Sequence, residues 1–256
     1  MVQWLARVSL GVSVMLHAAG QTPGQVNTLD RRVSVYDAKD SSIAEALRQL
    51  VAETDRTIVV GLERVPTSAS ASSAEPRITL HIEHATLGEI LKKLCAQDSR
   101  YTFADVGAGV INVYPVVEAS EPAAILGLPL DRVDIKVREW PSNLFGRILE
   151  VAPELGTYLN TRAREHQMRT SRLPAGTPGV IMTTNVQRPL IEMHLRKTSV
   201  RGALNTIAAY TLTHPITDEA GNVLGSPTGW EFRFIIDPDA ATGLGGHPQW
   251  MPFPIP

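Results

Sequence analysis

A pattern of apolar and polar residues occurs twice in this chain, at residues 78–94 and at residues 191–207, and the two occurrences align without a gap. Each begins with strictly alternating apolar and polar positions, which is the period of a half-buried strand. A small polar residue, Thr86 or Ser199, then stands where a helix N-cap is expected. After it, the apolar residues follow the spacing of one helix face. The pattern therefore predicts a strand followed by an amphipathic helix, present in two copies.

These two copies belong to longer halves that show the same order of elements. Over residues 31–115 the pattern predicts a strand, a helix, two strands, a helix and a β-hairpin with a glycine-containing turn. The order starts again over residues 131–237, where residues 157–178 form an insertion. Residues 116–130 are the predicted linker between the halves. We therefore expect an α+β protein of two tandem βαββαβ domains, each a small sheet with two helices packed on one face.

Both ends of the chain differ from these halves. Residues 1–20 combine Arg7 with an apolar run and small residues, which predicts a secretory signal peptide, with an ordinary N-terminal helix as the alternative. No later stretch is apolar for long enough to cross a bilayer, so we expect no transmembrane segment and a periplasmic or secreted protein. The tail, residues 238–256, is rich in Gly and Pro and is predicted to be neither helix nor central strand. Its Trp250 and Phe253 either dock into a groove of a partner protein or fold back onto the second domain.

Composition and motifs favour binding over catalysis. The net charge of −2 and the aromatic content of 5% give no reason to expect a nucleic-acid partner. The sequence contains no Walker A loop, no Gly-x-Gly-x-x-Gly and no nucleophile elbow, and no pair of carboxylates stands out for acid–base work. Cys95 is the only cysteine, which excludes an internal disulfide, and it is expected to be a buried core residue. We expect neither enzyme activity nor a cofactor or metal, with an exported enzyme whose site lies between the domains as the alternative.

Two histidines and four arginines are the candidate partner-binding residues, together with the aromatic residues of the tail. His81 and His194 occupy equivalent places in the two copies, opposite the buried face of the strand. They mark either a partner-binding surface or a remnant of duplication. His84 should point to the other face from His81, so a metal shared by the two is not expected. The insertion forms either a solvated basic face or a docking loop for an acidic partner or phospholipid head groups. Its arginines are Arg162, Arg164, Arg169 and Arg172.

Short apolar segments occur in a fixed order along the first half. They cover residues 33–35, 43–50, 58–60, 78–82, 86–94 and 110–115. This pattern resembles the secretin and TonB short N-terminal domain, closely over the first half and more loosely over the second. The resemblance implies a periplasmic, non-catalytic adaptor or subunit of an envelope secretion or signalling assembly, with an envelope or outer-membrane protein as its partner. A self-assembling ring of copies stays open as a further alternative.

Overall fold

The helices and strands of the protein follow from a computed structural model that describes eight ranges of the chain. These ranges are 27–68, 75–117, 119–139, 143–165, 190–214, 227, 229–236 and 246–253. The predicted signal peptide lies outside the described residues, as do residues 166–178 of the predicted insertion. Within the described ranges the chain is a mixture of helices and strands, so the predicted α+β class is confirmed.

The elements of the first half follow the predicted order, with one additional two-residue strand at Thr67–Ser68. A short 3-10 turn, Thr28–Asp30, precedes them. They are β1 (Arg32–Ser41), α1 (Ile43–Glu53), β2 (Val59–Glu63), β3 (Thr67–Ser68), β4 (Ile78–Thr86), α2 (Leu87–Gln97), β5 (Tyr101–Gly107) and β6 (Val110–Pro115). The second half contains α3 (Ser120–Gly127), β7 (Pro129–Arg138), α4 (Leu144–Val151), α5 (Pro153–Glu165), β8 (Leu190–Ser199), α6 (Val200–Thr213), β9 (Gly229–Ile236) and β10 (Gly246–Phe253).

The N-caps that the repeated pattern predicts are present. The Thr86 side chain accepts a hydrogen bond of 3.2 Å from the backbone N–H of Glu89, whose carboxylate accepts one of 2.8 Å from the Thr86 backbone. This capping box satisfies two backbone donors at the start of α2 and lowers the pKa of Glu89. At the start of α6 the Ser199 side chain accepts from the Gly202 backbone N–H at 3.1 Å. The cap is therefore common to both copies, whereas the carboxylate at the third helical position belongs to the first copy.

Strands β1 and β4 form a two-stranded antiparallel ribbon, called ribbon 1, and β7 and β8 form a second, called ribbon 2. Helices α1 and α2 pack against ribbon 1 on one side and against a larger central sheet on the other. Helices α4 and α6 lie in the same way between ribbon 2 and the opposite face of the central sheet. The architecture is therefore a stack of ribbon, helices, central sheet, helices and ribbon, with one core on each face of the central sheet.

The central sheet contains strands from both halves, which differs from the expected sheet for each domain. Its order is β10-β9-β2-β6-β5, with β3 beside β9, and β2 runs parallel to both β6 and β9. The physical reason lies in β2, which is buried along its whole length. Val60 and Leu62 face the first core, and Val59 faces the second. A strand that is apolar on both faces needs a covering layer on each side.

A close approach between the halves occurs at Gly61 of β2. A Cβ at this position would lie 2.5 Å from the ring of Trp230 on β9 and 2.6 Å from Asn112 Oδ1. Glycine therefore lets the indole lie against the middle of β2, where Trp230 is fully buried. The indole N–H donates a 2.9 Å hydrogen bond to Asn205 Oδ1 of α6, which satisfies its one polar group.

The predicted linker is not irregular, because most of residues 116–130 lie in α3 and at the start of β7. Ile125 and Leu126 of α3 are at most 2% exposed and belong to the second core. Burial of one such side chain contributes about 1.5–3 kcal/mol, which favours a packed helix here over a free connection.

Part of the tail, Gly246–Phe253, forms β10, antiparallel to β9. Among the described strands, it is at the end of the strand order of the central sheet. Pro248 and Pro252 suit this place, because proline has no N–H to donate to a second neighbour. The segment pairs with the second half through β9 and contacts the first core through Phe253.

Candidate functional site

The two ribbons pair their strands in the same register up to Ala38–Leu80 of ribbon 1, where a register shift follows that ribbon 2 lacks. In ribbon 1 Asp37 lies opposite His81, and in ribbon 2 Asp134 lies opposite His194. The burial patterns of β1 and β7 begin with the same alternation when these aspartates are aligned. Both histidines are exposed on the outer faces of the ribbons. The equivalence of His81 and His194 therefore extends to a cross-strand aspartate partner, which the sequence pattern did not reveal.

A second repeated feature lies where each ribbon turns into its helix. His84 has φ 52° and Lys197 has φ 48°, and these residues are equivalent in the two copies. Left-handed backbone is uncommon for residues other than glycine, so its occurrence at equivalent places marks a bend built into both copies. The bend interrupts the strand alternation, and His84 is exposed like His81. Within the described ranges, no group of three or more His, Cys, Asp or Glu residues has an arrangement that suits a metal ion.

The outer face of ribbon 2 carries a network centred on Asp134. His194 Nδ1 lies 2.8 Å from Asp134 Oδ1, and Arg196 Nη1 donates to the same oxygen at 2.9 Å. Arg132 also pairs with Asp134. On the other side of the ring, His194 Nε2 lies 3.3 Å from Glu192 Oε1. The network therefore brings three cationic or titratable donors to one exposed carboxylate.

This network shifts the pKa values of its members. The hydrogen bond from His194, followed by those from Arg196 and Arg132, holds the pKa of Asp134 well below its usual range. Asp134, followed by Glu192, raises the pKa of His194. The Glu192 carboxylate accepts from Lys136 and His194, and its pKa is lowered. The protonated, cationic form of His194 is therefore the one that this face stabilises.

The outer face of ribbon 1 has the same plan with a looser and less basic set of side chains. His81 Nδ1 lies 3.8 Å from Asp37 Oδ1, and His81 Nε2 lies 3.5 Å from Glu83 Oε1, which are ion-pair rather than hydrogen-bond distances. Where ribbon 2 has Arg132 and Arg196, ribbon 1 has the exposed Val35 and the acidic Glu83 at the equivalent paired positions. The two faces therefore share a backbone and differ in charge and polarity.

The remaining candidate residues lie on other elements or outside the described residues. Arg162 and Arg164 lie on α5, and Arg169 and Arg172 lie outside the described residues. Trp250 lies on β10 opposite Phe232.

Phe253 folds back onto the fold, which was one of the two alternatives expected for the tail aromatics, but the core that it enters is the first one. It is fully buried in the first core, and Arg48 Cζ of α1 lies 5.1 Å from the centre of its ring. It thus folds back onto the first half rather than onto the second, because β10 extends the shared sheet beneath α1.

Buried charges at the junction of the halves were missed by the sequence interpretation. Arg201 of α6 donates two hydrogen bonds, of 2.6 and 2.9 Å, to the carboxylate of Glu63 on β2. Glu231 on β9 is 1% exposed and accepts a 2.7 Å hydrogen bond from Arg233. The sequence contained one signal for this, because Glu231 lies between Trp230 and Phe232 in the strand. Side chains alternate along a strand, so the side chain of Glu231 points to the face opposite that of the two aromatic residues, and this face is also covered.

Cys95 is half-buried against the first core rather than fully buried. Burial raises the pKa of its thiol to about 11, so the thiolate is scarce at neutral pH and the residue has the character of a packing group.

Comparisons of the chain with protein-family models, with curated proteins and with solved structures find no match. The likeness to the secretin and TonB short N-terminal domain stays a prediction from the sequence pattern. Among the helices that the described ranges contain, none has the length and apolar character needed to span a membrane.

Proposed function

We propose that the protein is an exported, non-catalytic module that binds a protein of the cell envelope through the outer faces of ribbons 1 and 2. The observation that carries the proposal is the repeated His–Asp pair at the same register on two exposed ribbons. The inner faces of both ribbons supply the cores, so the outer faces are left for other contacts. Periplasmic location and membership of a secretin or TonB-type assembly are parts of this proposal that rest on the sequence pattern.

The strand edges of the ribbons add a physical means of binding. In the described part of the chain each ribbon strand has one hydrogen-bonded neighbour, so its other edge is open to an added strand. These strands are nine or ten residues long. Backbone pairing at such an edge would supply affinity, and the charged outer face would select the partner.

The way in which the halves meet favours binding over the alternative of an enzyme site between two domains. Gly61 of β2 pairs with Trp230 of β9, so sheet occupies the place where an inter-domain cleft was expected. At this junction Glu63 forms an ion pair with Arg201. A ring of copies remains an alternative to an envelope partner, and the experiment below separates the two.

The experiment compares three forms of the protein, each without the predicted signal peptide. Each form is immobilised and then incubated with an envelope extract. The forms are the native protein, the ribbon 2 variant Arg132→Glu/Arg196→Glu, and the control Lys92→Glu/Lys93→Glu. The control reverses the same number of charges on the exposed face of α2. We expect the native protein and the control to capture the same envelope protein, identified by mass, and the ribbon 2 variant to lose it.

Thermal unfolding of all three forms checks folding. The control should change the free energy of unfolding by about 0.5 kcal/mol or less. The ribbon 2 variant removes two partners of Asp134, so it should lose more stability than the control while staying folded. Equal capture by all three forms would contradict a role for ribbon 2. Light scattering on the native protein addresses the ring, since a mass that stays that of one copy at every concentration contradicts self-assembly.

A further inference from the structure

Three arginines from different elements surround one buried carboxylate where β2 ends. Arg233 lies on β9 and donates a 2.7 Å hydrogen bond to Oε1 of Glu231. Arg64 follows the last residue of β2, and its Nε lies 3.6 Å from the same oxygen. Arg48 projects from α1, and its Nη2 lies 3.7 Å from Oε2. The last two distances exceed that of a hydrogen bond, so Glu231 does not satisfy either guanidinium group.

The arginines at this place have unused hydrogen-bonding capacity. Nε of Arg48 and Nη1 of Arg64 are buried and find no hydrogen-bond partner among the residues that the structure describes. Buried donors are nearly always paired in folded proteins, with protein groups, with water or with an ion. Arg64 also pairs with Glu75, so the group contains three guanidinium cations and two carboxylates. A water molecule would satisfy the donors, whereas an anion would satisfy both the donors and the excess positive charge.

The place of this group in the sheet is one that commonly holds ligands. Strand β2 lies between β6 and β9, and all three strands are parallel. The β5–β6 hairpin follows α2, which covers one face of the sheet, and β9 follows α6, which covers the other. Strand β2 is therefore flanked by two parallel strands whose preceding helices lie on opposite faces of the sheet. In open parallel sheets, ligands bind at the carboxyl ends of strands at such a point.

We propose that Arg48 and Arg64 bind an oxyanion, a phosphate or a carboxylate group, at the carboxyl end of β2. The planar guanidinium group suits such ligands because it offers parallel N–H donors to two oxygens. The side chain of Arg64 is 12% exposed and forms the floor of the site. Those of Arg48 and Arg233 are 27% and 40% exposed and give an approach from solvent. The site belongs to the junction of the halves and does not depend on the binding role of the ribbons.

Isothermal titration of the purified protein with sodium phosphate, and separately with sodium acetate, tests the proposal. Sodium chloride at the same ionic strength is the reference. We expect a saturable heat with at least one of the two oxyanions, and the one that gives it identifies the ligand chemistry. Arg64→Met and the more exposed Arg48→Met should each weaken binding by about tenfold or more, since each removes hydrogen bonds to a charged group. The control Arg77→Met, which alters an exposed arginine paired with Asp40, should bind as the native protein does.

A variant of the central carboxylate separates binding from a purely structural role of the arginines. Glu231→Gln removes the negative charge that competes with the anion, so affinity for the oxyanion should rise by about tenfold. Added phosphate or acetate should then raise the melting temperature of this variant more than that of the native protein. The proposal is overturned if neither oxyanion gives a saturable heat beyond that of chloride, or if Arg64→Met and Arg48→Met both bind as the native protein does.

Discussion

Ribbon 1 and ribbon 2 share a strand register over most of their length and have two different surfaces. The register coincides up to the pairs Ala38–Leu80 and Ile135–Met193, beyond which ribbon 1 has a register shift that ribbon 2 lacks. The left-handed residue before the helix also coincides. Their outer faces differ, because ribbon 2 places Arg132 and Arg196 where ribbon 1 has Val35 and Glu83. The ribbons share the positions that their cores require and, on the outer face, the His–Asp pair. Around that pair the outer faces differ in charge and polarity.

The largest expected difference between the ribbons is in the free energy of unfolding that is lost when a buried side chain is truncated. Tyr36 of ribbon 1 is fully buried, and its hydroxyl donates a 2.9 Å hydrogen bond to the Ala46 carbonyl. The equivalent residue in ribbon 2 is Val133, also fully buried. We expect Tyr36→Ala to lower the free energy of unfolding by about 4 kcal/mol, because it leaves a large cavity. Val133→Ala should cost about 2 kcal/mol, since it removes less apolar volume.

Urea unfolding measures both values. Tyr36→Phe is the control for the hydroxyl and should cost about 1 kcal/mol, the usual net value of one hydrogen bond. A Val133→Ala effect as large as that of Tyr36→Ala would mean that the two cores do not respond according to the volume removed.

The pH dependence of ribbon 2 gives a smaller effect with a defined sign. Because the pKa of Asp134 is lowered on folding, its contribution to stability is present above about pH 3.9 and is lost as pH falls through its folded pKa. Because the pKa of His194 is raised, its contribution is present below about pH 6.5 and is lost as pH rises through its folded pKa. The network should therefore stabilise ribbon 2 most between about pH 4 and pH 6.5.

NMR titration of His194 checks this prediction. Asp134→Asn should bring the pKa of His194 down towards its ordinary value, because the carboxylate is the main cause of the rise. Asp131→Asn is a matched control on the same strand and should leave that pKa unchanged. If the pKa of His194 is unchanged in Asp134→Asn, the cross-strand pair of His194 and Asp134 is contradicted, and with it the comparison of the two ribbons.

The smallest expected effect tests the shared bend. His84 and Lys197 hold left-handed backbone, which costs about 1 kcal/mol or more for a residue other than glycine. Substitution by glycine removes this strain. It also lowers stability by about 0.4–1 kcal/mol, because glycine gives the unfolded chain more conformational entropy. Each substitution should therefore stabilise the protein by about 0.5 kcal/mol, measured as a rise in the urea midpoint. Effects of opposite sign in the two ribbons would contradict an equivalent bend.

The local units of this protein could be predicted from the amino-acid sequence alone. Alternating apolar positions followed by helical spacing predicted β4 with α2 and β8 with α6, and the caps at Thr86 and Ser199 are where the pattern put them. These features depend on neighbours within a few residues along the chain, so they can be recognised without the fold. The equivalence of His81 and His194 was visible for the same reason.

Which strands are neighbours could not be predicted from the sequence and became clear from the packing of the folded chain. This packing joined β2 to β9, placed Phe253 of the tail in the first core, and gave each ribbon histidine its aspartate. The apolar run of β2 indicated that the strand is buried. It did not indicate which strand is its neighbour, because an apolar side chain can pack against many others of similar size. Strand pairing joins residues far apart in the chain, as with Gly61 and Trp230, and depends on how all the layers pack together, which the period of a local segment does not encode.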